Sequence, residues 1–182
     1  TLQEKTFTRE MCQFSYRNSI FKQEWKGRFV VTSVVFELNK KPEFKLDYGD
    51  VAAEVERLGK VTHSTIRRAV IAIRERKLPD PEIIGNAGSF FKNPVVEEDT
   101  AHSLKAKYPE VPLYPAGEGK VKIAAAWLIE QAGWKGKRVG QAGVHDRQAL
   151  VLVNHGGATG QEIFDLAEQI RTDVENKFAI QL

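Results

Sequence analysis

The sequence predicts an α+β fold in two domains, and three observations lead to this. Helical patterns recur along the chain, whereas strand-like stretches are few and irregularly spaced, unlike a doubly wound sheet. The chain has 182 residues, 42% hydrophobic and 28% charged, which is ordinary globular usage. A proline-dense segment at 78–81 separates two differently patterned parts, so we expect domains at 1–80 and 81–182.

The first domain is predicted to hold a hairpin followed by two helices. β-branched and aromatic residues at 27–38 predict a strand, and a second short strand is expected at 43–48. A short helix at 50–58 is closed by a glycine, and a longer helix at 62–77 has apolar residues at helical spacing.

The second domain is predicted to be α+β, with helices interspersed with few, irregularly spaced strands. Thr159 and Glu162 form a capping box that opens the last helix, whose buried stripe is Ile163, Leu166, Ile170 and Val174. The expected elements are a loop at 85–88, an extended piece at 89–92, helices at 97–108, 122–132 and 159–177, and a strand at 149–153.

Composition narrows the classes of function. No apolar run is long enough to span a membrane and the N-terminal residues do not form a signal peptide, so we expect no membrane partner. The net charge of +3 does not require a nucleic acid as partner, and the single Cys12 fits a reducing, cytoplasmic location. The four histidines lack metal-ligand spacing, so no metal is assigned.

A basic segment is the first candidate for binding. Six cations and one acid lie between Lys60 and Lys77, and arginine side chains suit phosphate groups. The segment would bind a diphosphate or a nucleic-acid backbone, or it is the solvated face of an amphipathic helix. Composition leaves these alternatives open.

Two polar segments are further candidates. Residues 85–94 (GNAGSFFKNP) combine a glycine turn with a hydroxyl, an ammonium and an amide, which suits a small-molecule site. Ser89 is not in a Gly-x-Ser-x-Gly elbow, so it would act as a proton donor or simply form a hydrogen bond within a loop. Residues 14–19 (FSYRNS) surround Arg17 with polar groups, and a surface turn is the alternative there.

Seven segments, in order along the chain, carry a family resemblance. They are 12–22, 46–50, 76–81, 85–94, 122–130, 144–152 and 178–182, and GSFFKNP is the most specific of them. Together they resemble the UDP-N-acetylenolpyruvoylglucosamine reductase (MurB) family.

The resemblance implies a flavoenzyme of peptidoglycan precursor synthesis, in which NADPH reduces bound FAD and hydride then passes to the enolpyruvyl ether of a UDP-sugar. The family's proton-donating serine matches Ser89, and its active-site arginine matches Arg17. The family residues that hold the substrate match Tyr48, Lys77, Asn93 and Gln148, with Lys77 at the diphosphate and Lys122 as a secondary candidate.

The resemblance also implies that this chain is part of an enzyme. The family's glycine-rich FAD-binding turns lie N-terminal to the matched segments, so residues 1–80 would be only the later part of the flavin domain, and the missing N-terminal part is the expected partner. The family's catalytic glutamate lies beyond Leu182, and Asn18 stands where an aspartate is usual. We therefore expect no catalysis by this fragment alone. The alternative is a noncatalytic nucleotide- or nucleic-acid-binding module that uses the basic segment at 60–77.

Overall fold

The structure, a computed structural model, describes residues 3–47 and 49–182. It divides into two compact units, Thr1–Phe44 and Lys45–Leu182. This division does not test the domain boundary expected near residue 80, which stays a prediction.

The first unit is built around a small aromatic cluster. Thr8 caps a one-turn helix, α1 (Arg9–Cys12), by accepting a hydrogen bond from the Met11 N–H at 3.4 Å. A 3-10 turn follows at Ile20–Lys22. Four rings then pack with centroids 4.9–6.2 Å apart, which gives this unit an apolar centre; they are Phe7, Phe21, Trp25 and Phe29.

The hairpin predicted in the first domain is wrong for this structure. Residues 27–38 and 43–47 form no strand, and Tyr48, which ends the second predicted strand, lies outside the described residues. A strand needs backbone partners on a neighbouring strand, and the described residues offer none to this segment. Consequently Val30, Val35, Phe36 and Leu38 are 76–95% exposed.

The second unit opens with a helical hairpin, α2 (Val51–Leu58) and α3 (His63–Lys77), which confirms both predicted helices. Thr62 and Thr65 form a capping box at the start of α3. The hairpin has its own buried cluster of Val51, Val55 and Ala69. This cluster is separate from the main core, which lies between Phe91 and Ile180.

The rest of the second unit is mixed helix and antiparallel sheet, so the predicted α+β class is confirmed. The strands are β1 (Gly85–Ser89), β2 (Val95–Glu97), β3 (Leu113–Pro115), β4 (Lys120–Ile123), β5 (Arg138–Val139), β6 (Ala142–Val144) and β7 (Val151–Asn154). One sheet has the order β1-β7-β6-β5 and the other the order β2-β4-β3. The helices are α4 (Glu98–Lys107), α5 (Ala125–Gln131) and α6 (Gly160–Phe178).

Helix α6 covers the main core as its sequence predicts. Its capping box is present, since the Thr159 N–H donates to Glu162 Oε2 at 2.8 Å and the Glu162 N–H donates to Thr159 Oγ1 at 3.2 Å. Of its predicted stripe, Leu166, Ile170 and Val174 are buried, and Ile163 is partly buried against the same cluster.

Two predictions in this unit need correction. The helix expected over 122–132 begins only at Ala125, because Lys120–Ile123 is the central strand of the second sheet and pairs with β2 and β3. The loop expected at 85–88 belongs to strand β1. In the described part of the chain, no helix combines the length and apolar character that crossing a membrane requires.

Candidate active site

Ser89 is exposed at the end of β1, the edge strand of the larger sheet. Its Cα lies opposite that of Val151 on the neighbouring strand β7. The next residue, Phe90, donates its N–H to the Leu150 carbonyl oxygen at 2.7 Å, so the pairing continues just past the serine. The hydroxyl therefore extends from rigid, hydrogen-bonded backbone.

A β-bulge immediately before Ser89 sets its direction. Asn86 pairs with Val153 and Ser89 with Val151, so β1 carries one extra residue between these pairs. Gly88 supplies the left-handed backbone at φ 74° that a side chain would strain. The Asn86 side chain holds the bulge, because its Oδ1 accepts from the Gly88 N–H at 3.1 Å and its Nδ2 donates to the Ile84 carbonyl at 3.0 Å. Bulges of this kind re-aim side chains beside active sites.

Gln148 lies in the turn that leads into β7. Its carbonyl oxygen accepts from the Val151 N–H at 3.0 Å, and its side-chain Oε1 accepts from the Leu150 N–H at 3.4 Å. Because Val151 is also the partner of Ser89, the two predicted site residues share a neighbour at one end of the β1–β7 pair.

A buried histidine begins the same turn. His145 is 8% exposed, and its Nδ1 accepts from the Arg147 N–H at 3.3 Å. Burial is the main cause that holds the pKa of His145 below its ordinary value, against the opposing attraction of Asp146. The neutral imidazole is therefore the acceptor that fixes this turn.

Asn93 and Lys122 lie on two chain segments that are hydrogen-bonded to each other. Asn93, four residues beyond Ser89, accepts at Oδ1 from the Ala125 N–H at 2.9 Å and so holds the first turn of α5. Pro94 accepts from the Ile123 N–H at 2.9 Å, which brings Lys122 beside this segment. The Lys122 ammonium lies 5.9 Å from the centroid of the Tyr114 ring.

Four of the predicted residues lie on β1 or on segments connected to it. Ser89 and Gln148 are both neighbours of Val151, Asn93 lies on the segment that continues from Ser89, and Lys122 lies on β4, which pairs with β2. These residues carry a hydroxyl, two amides and an ammonium, groups that can bind phosphate and sugar groups and supply one proton.

Lys77 is tied to a different partner. It is the last residue of α3, and its Nζ lies 2.7 Å from Asp50 Oδ2. That ion pair lowers the pKa of Asp50 below its ordinary value, mainly through the hydrogen bond from Lys77. No hydrogen bond or ion pair among residues 3–47 and 49–182 links Lys77 to the end of β1, so its place in the site stays a prediction.

Arg17 occupies a tight turn in the first unit. Ser15 and Asn18 exchange backbone hydrogen bonds of 3.1 Å, and Arg17 between them has φ 56°. The Arg17 carbonyl accepts from Lys22 Nζ at 3.2 Å, and Asn18 Oδ1 accepts from the Ser19 N–H at 3.0 Å. Tyr48, the other predicted substrate-binding residue of the first domain, lies outside the described residues.

Two cations of the basic segment at 60–77 form ion pairs with acidic residues in or next to helix α2. Of the six cations in this segment, Arg76 pairs with Glu54 at 2.8 Å and Lys77 pairs with Asp50. Both paired side chains stay about half exposed, so the ion pairs lower the net positive charge of this segment without burying these two cations. In the part of the chain that the structure describes, no three His, Cys, Asp or Glu side chains group as metal ligands.

Sequence reasoning missed three residues of this region. Asn86 holds the bulge, Asp50 holds Lys77, and His145 holds the turn before Gln148. The spacing Asn-x-Gly was a usable signal for the first, because asparagine side chains commonly bond the backbone two residues on. The other two depend on tertiary contacts or burial.

Comparison with known proteins gives matches that share one name. A family model described as UDP-N-acetylenolpyruvoylglucosamine reductase, C-terminal domain, matches residues 80–182. The chain is 51% identical over 179 residues to a UDP-N-acetylenolpyruvoylglucosamine reductase of Chromobacterium violaceum, covering 97% of this chain and 52% of that protein. Reductases of the same name match from Bacteroides fragilis (49% identity, 94% of this chain, 52% of the relative) and Flavobacterium johnsoniae (48%, 100% and 55%). The chain spans about half the length of these relatives.

Proposed function

Because the chain belongs to the UDP-N-acetylenolpyruvoylglucosamine reductase family, we propose that it is part of an enzyme that reduces UDP-N-acetylenolpyruvoylglucosamine to UDP-N-acetylmuramate. NADPH is the proposed reductant, and peptidoglycan precursor synthesis in the cytoplasm is the proposed setting. The observation that carries the proposal is the exposed Ser89 hydroxyl at the bulged end of β1, with Gln148 and Asn93 on the adjoining segments.

This chain would hold only part of the flavin site. A bound FAD, once reduced by NADPH, would supply the hydride that adds to the terminal carbon of the enolpyruvyl double bond. The exposed apolar side chains between Val30 and Leu38 suit a surface that the N-terminal part of the same enzyme covers. We assign no residue of this chain to the flavin itself.

The residues of this chain bind the substrate and move one proton. Once hydride has added to the terminal carbon, the neighbouring carbon carries the electron pair as an enolate, and the Ser89 hydroxyl gives it a proton. Arg17 stabilises the enolate by its charge, as electrostatic catalysis requires. Tyr48, Asn93 and Gln148 orient the substrate, with Lys77 and secondarily Lys122 at the diphosphate.

The test is the variant Ser89→Ala in the full-length enzyme. Reduction of the flavin by NADPH should stay near normal, while reoxidation of the flavin by substrate slows by about 10²- to 10⁴-fold, the usual contribution of a general acid. Stopped-flow absorbance separates the two half-reactions.

The exposed Ser103 on α4 gives the matched control, since Ser103→Ala removes a hydroxyl remote in sequence from GSFFKNP. Collapse of flavin reduction in the Ser89 variant, or unchanged reoxidation, would refute the donor role.

A further inference from the structure

We propose that Asp50 is a positioning residue for substrate binding, whose carboxylate holds the Lys77 ammonium in place for the substrate diphosphate. The inference rests on the proposed function, in which Lys77 binds that diphosphate. It assigns a role in substrate binding to a residue that would contact neither the substrate nor the flavin.

The contact between the two side chains is close and long-range in sequence. Asp50 Oδ2 and Lys77 Nζ are 2.7 Å apart and come from positions 27 residues apart. Both side chains are about half exposed, at 56% and 49%, so a ligand from solvent can reach the ammonium while the pair is formed. Lysine has three donor hydrogens, and Asp50 uses one of them.

The carboxylate of Asp50 has no role in capping its own helix. Asp50 is the N-cap residue of α2, a position where aspartate usually accepts a hydrogen bond from a backbone N–H of the first turn. Here its side chain makes no such bond. The position favours aspartate, yet the carboxylate is turned to Lys77 instead.

A second ion pair fixes the backbone from which Lys77 extends. One turn further along α2, Glu54 Oε2 lies 2.8 Å from Arg76 Nη1, and Glu54 is only 6% exposed. The last two residues of α3 are thus each held by a carboxylate, one within α2 and one at its N-cap. A long, flexible lysine side chain loses less freedom on binding phosphate when it is already held in this way.

The experiment is a double-mutant cycle in the full-length enzyme with Asp50→Ala, Lys77→Met and the two together. Asp50→Ala should raise the KM for the UDP-sugar roughly two- to fivefold, the range of an exposed ion pair, with kcat and flavin reduction by NADPH unchanged. Lys77→Met should raise the KM at least as much. In the Lys77→Met background, Asp50→Ala should add nothing.

The control Glu56→Ala removes an exposed acid from the same helix and should leave the KM unchanged. An unchanged or lower KM in Asp50→Ala, or a KM increase that persists without Lys77, overturns the positioning role. An unchanged KM in Lys77→Met overturns the assignment of Lys77 and this inference with it. The Ser89 half-reaction test is independent of that outcome, so the two failures are distinguishable.

Discussion

Arg17 shows how one residue's backbone can indicate a function. Its φ of 56° lies in the left-handed region, which costs a non-glycine residue of order 1–2 kcal/mol. Glycine would form the same turn between Ser15 and Asn18 without that cost. The side chain of Arg17 is exposed, so packing does not explain why arginine occupies the position. Strain of this kind collects at functional sites and supports a role for the guanidinium.

Replacing Arg17 by lysine in the full-length enzyme should slow flavin reoxidation by substrate roughly 10- to 100-fold. A planar guanidinium fork would be lost although the positive charge remains. The melting temperature should not change, because lysine meets the same backbone constraint. Stopped-flow kinetics and a thermal melt measure the two effects. The exposed Arg28 provides the control as Arg28→Lys, and equal turnover in the Arg17 variant would remove that residue from the site.

At the scale of elements, local sequence signals predicted the helices. The short strands and the bulge in β1 depend instead on pairing with distant parts of the chain. The capping box at Thr159 joins residues three apart, and the apolar spacing that predicted α3 lies within that helix, so each signal was local in sequence. Strands such as β5 and β6 have only two or three residues, too few for an alternating pattern to stand out. The candidate site shows the same difference. The family motif in the sequence predicted Ser89, whereas the bulge that directs its side chain depends on pairing with β7.

The α2–α3 hairpin should lose stability when Glu54 is neutralised. Hydrogen bonds from Arg57 first and Arg76 second lower the pKa of Glu54 below its ordinary 4.5, so the carboxylate stabilises the folded hairpin above about that pH. That stabilisation is lost as the pH falls below 4.5 and through the lower folded-state pKa. Glu54→Gln should therefore speed amide exchange in α2 and α3 at pH 7.

The difference between Glu54→Gln and the unsubstituted chain should shrink in acid. Amide exchange in α6 should not respond, since α6 packs in the other core. Glu56→Gln, an exposed acid on α2, is the control that should leave exchange unchanged. A pH-independent effect of Glu54→Gln would show that its charge is not what stabilises the hairpin.

At the scale of the whole molecule, the described residues of the second unit form two separate buried clusters along the chain. The hairpin buries Val51, Val55 and Ala69, while the larger cluster draws only on residues from Phe91 onward. This separation is consistent with a domain boundary near residue 80, which stays a prediction. The sequence predicted this boundary from the proline-dense segment at 78–81, which separates two differently patterned parts of the chain.

Residues 80–182 should fold on their own in a single cooperative transition, as domains of about 100 residues usually do. Far-UV circular dichroism and tryptophan fluorescence should give coincident melting curves. Trp134 is 2% exposed within the core and Trp127 packs against that core, so the fluorescence reports loss of the core as the helical signal is lost. The fragment 45–182 should show the same fluorescence curve with added helical signal. Curves that do not coincide for 80–182 would place the boundary elsewhere.

The extra residue in β1 makes spacing as important as composition in this segment. Three steps from Asn86 to Ser89 are matched by two steps from Val153 to Val151 on the facing strand. A bulge bends its strand and increases the local twist, so a one-residue deletion there would change the direction in which the hydroxyl leaves the strand even if the serine stayed opposite Val151. Homologous chains that keep the serine but lose the extra residue would carry the right group in a different direction.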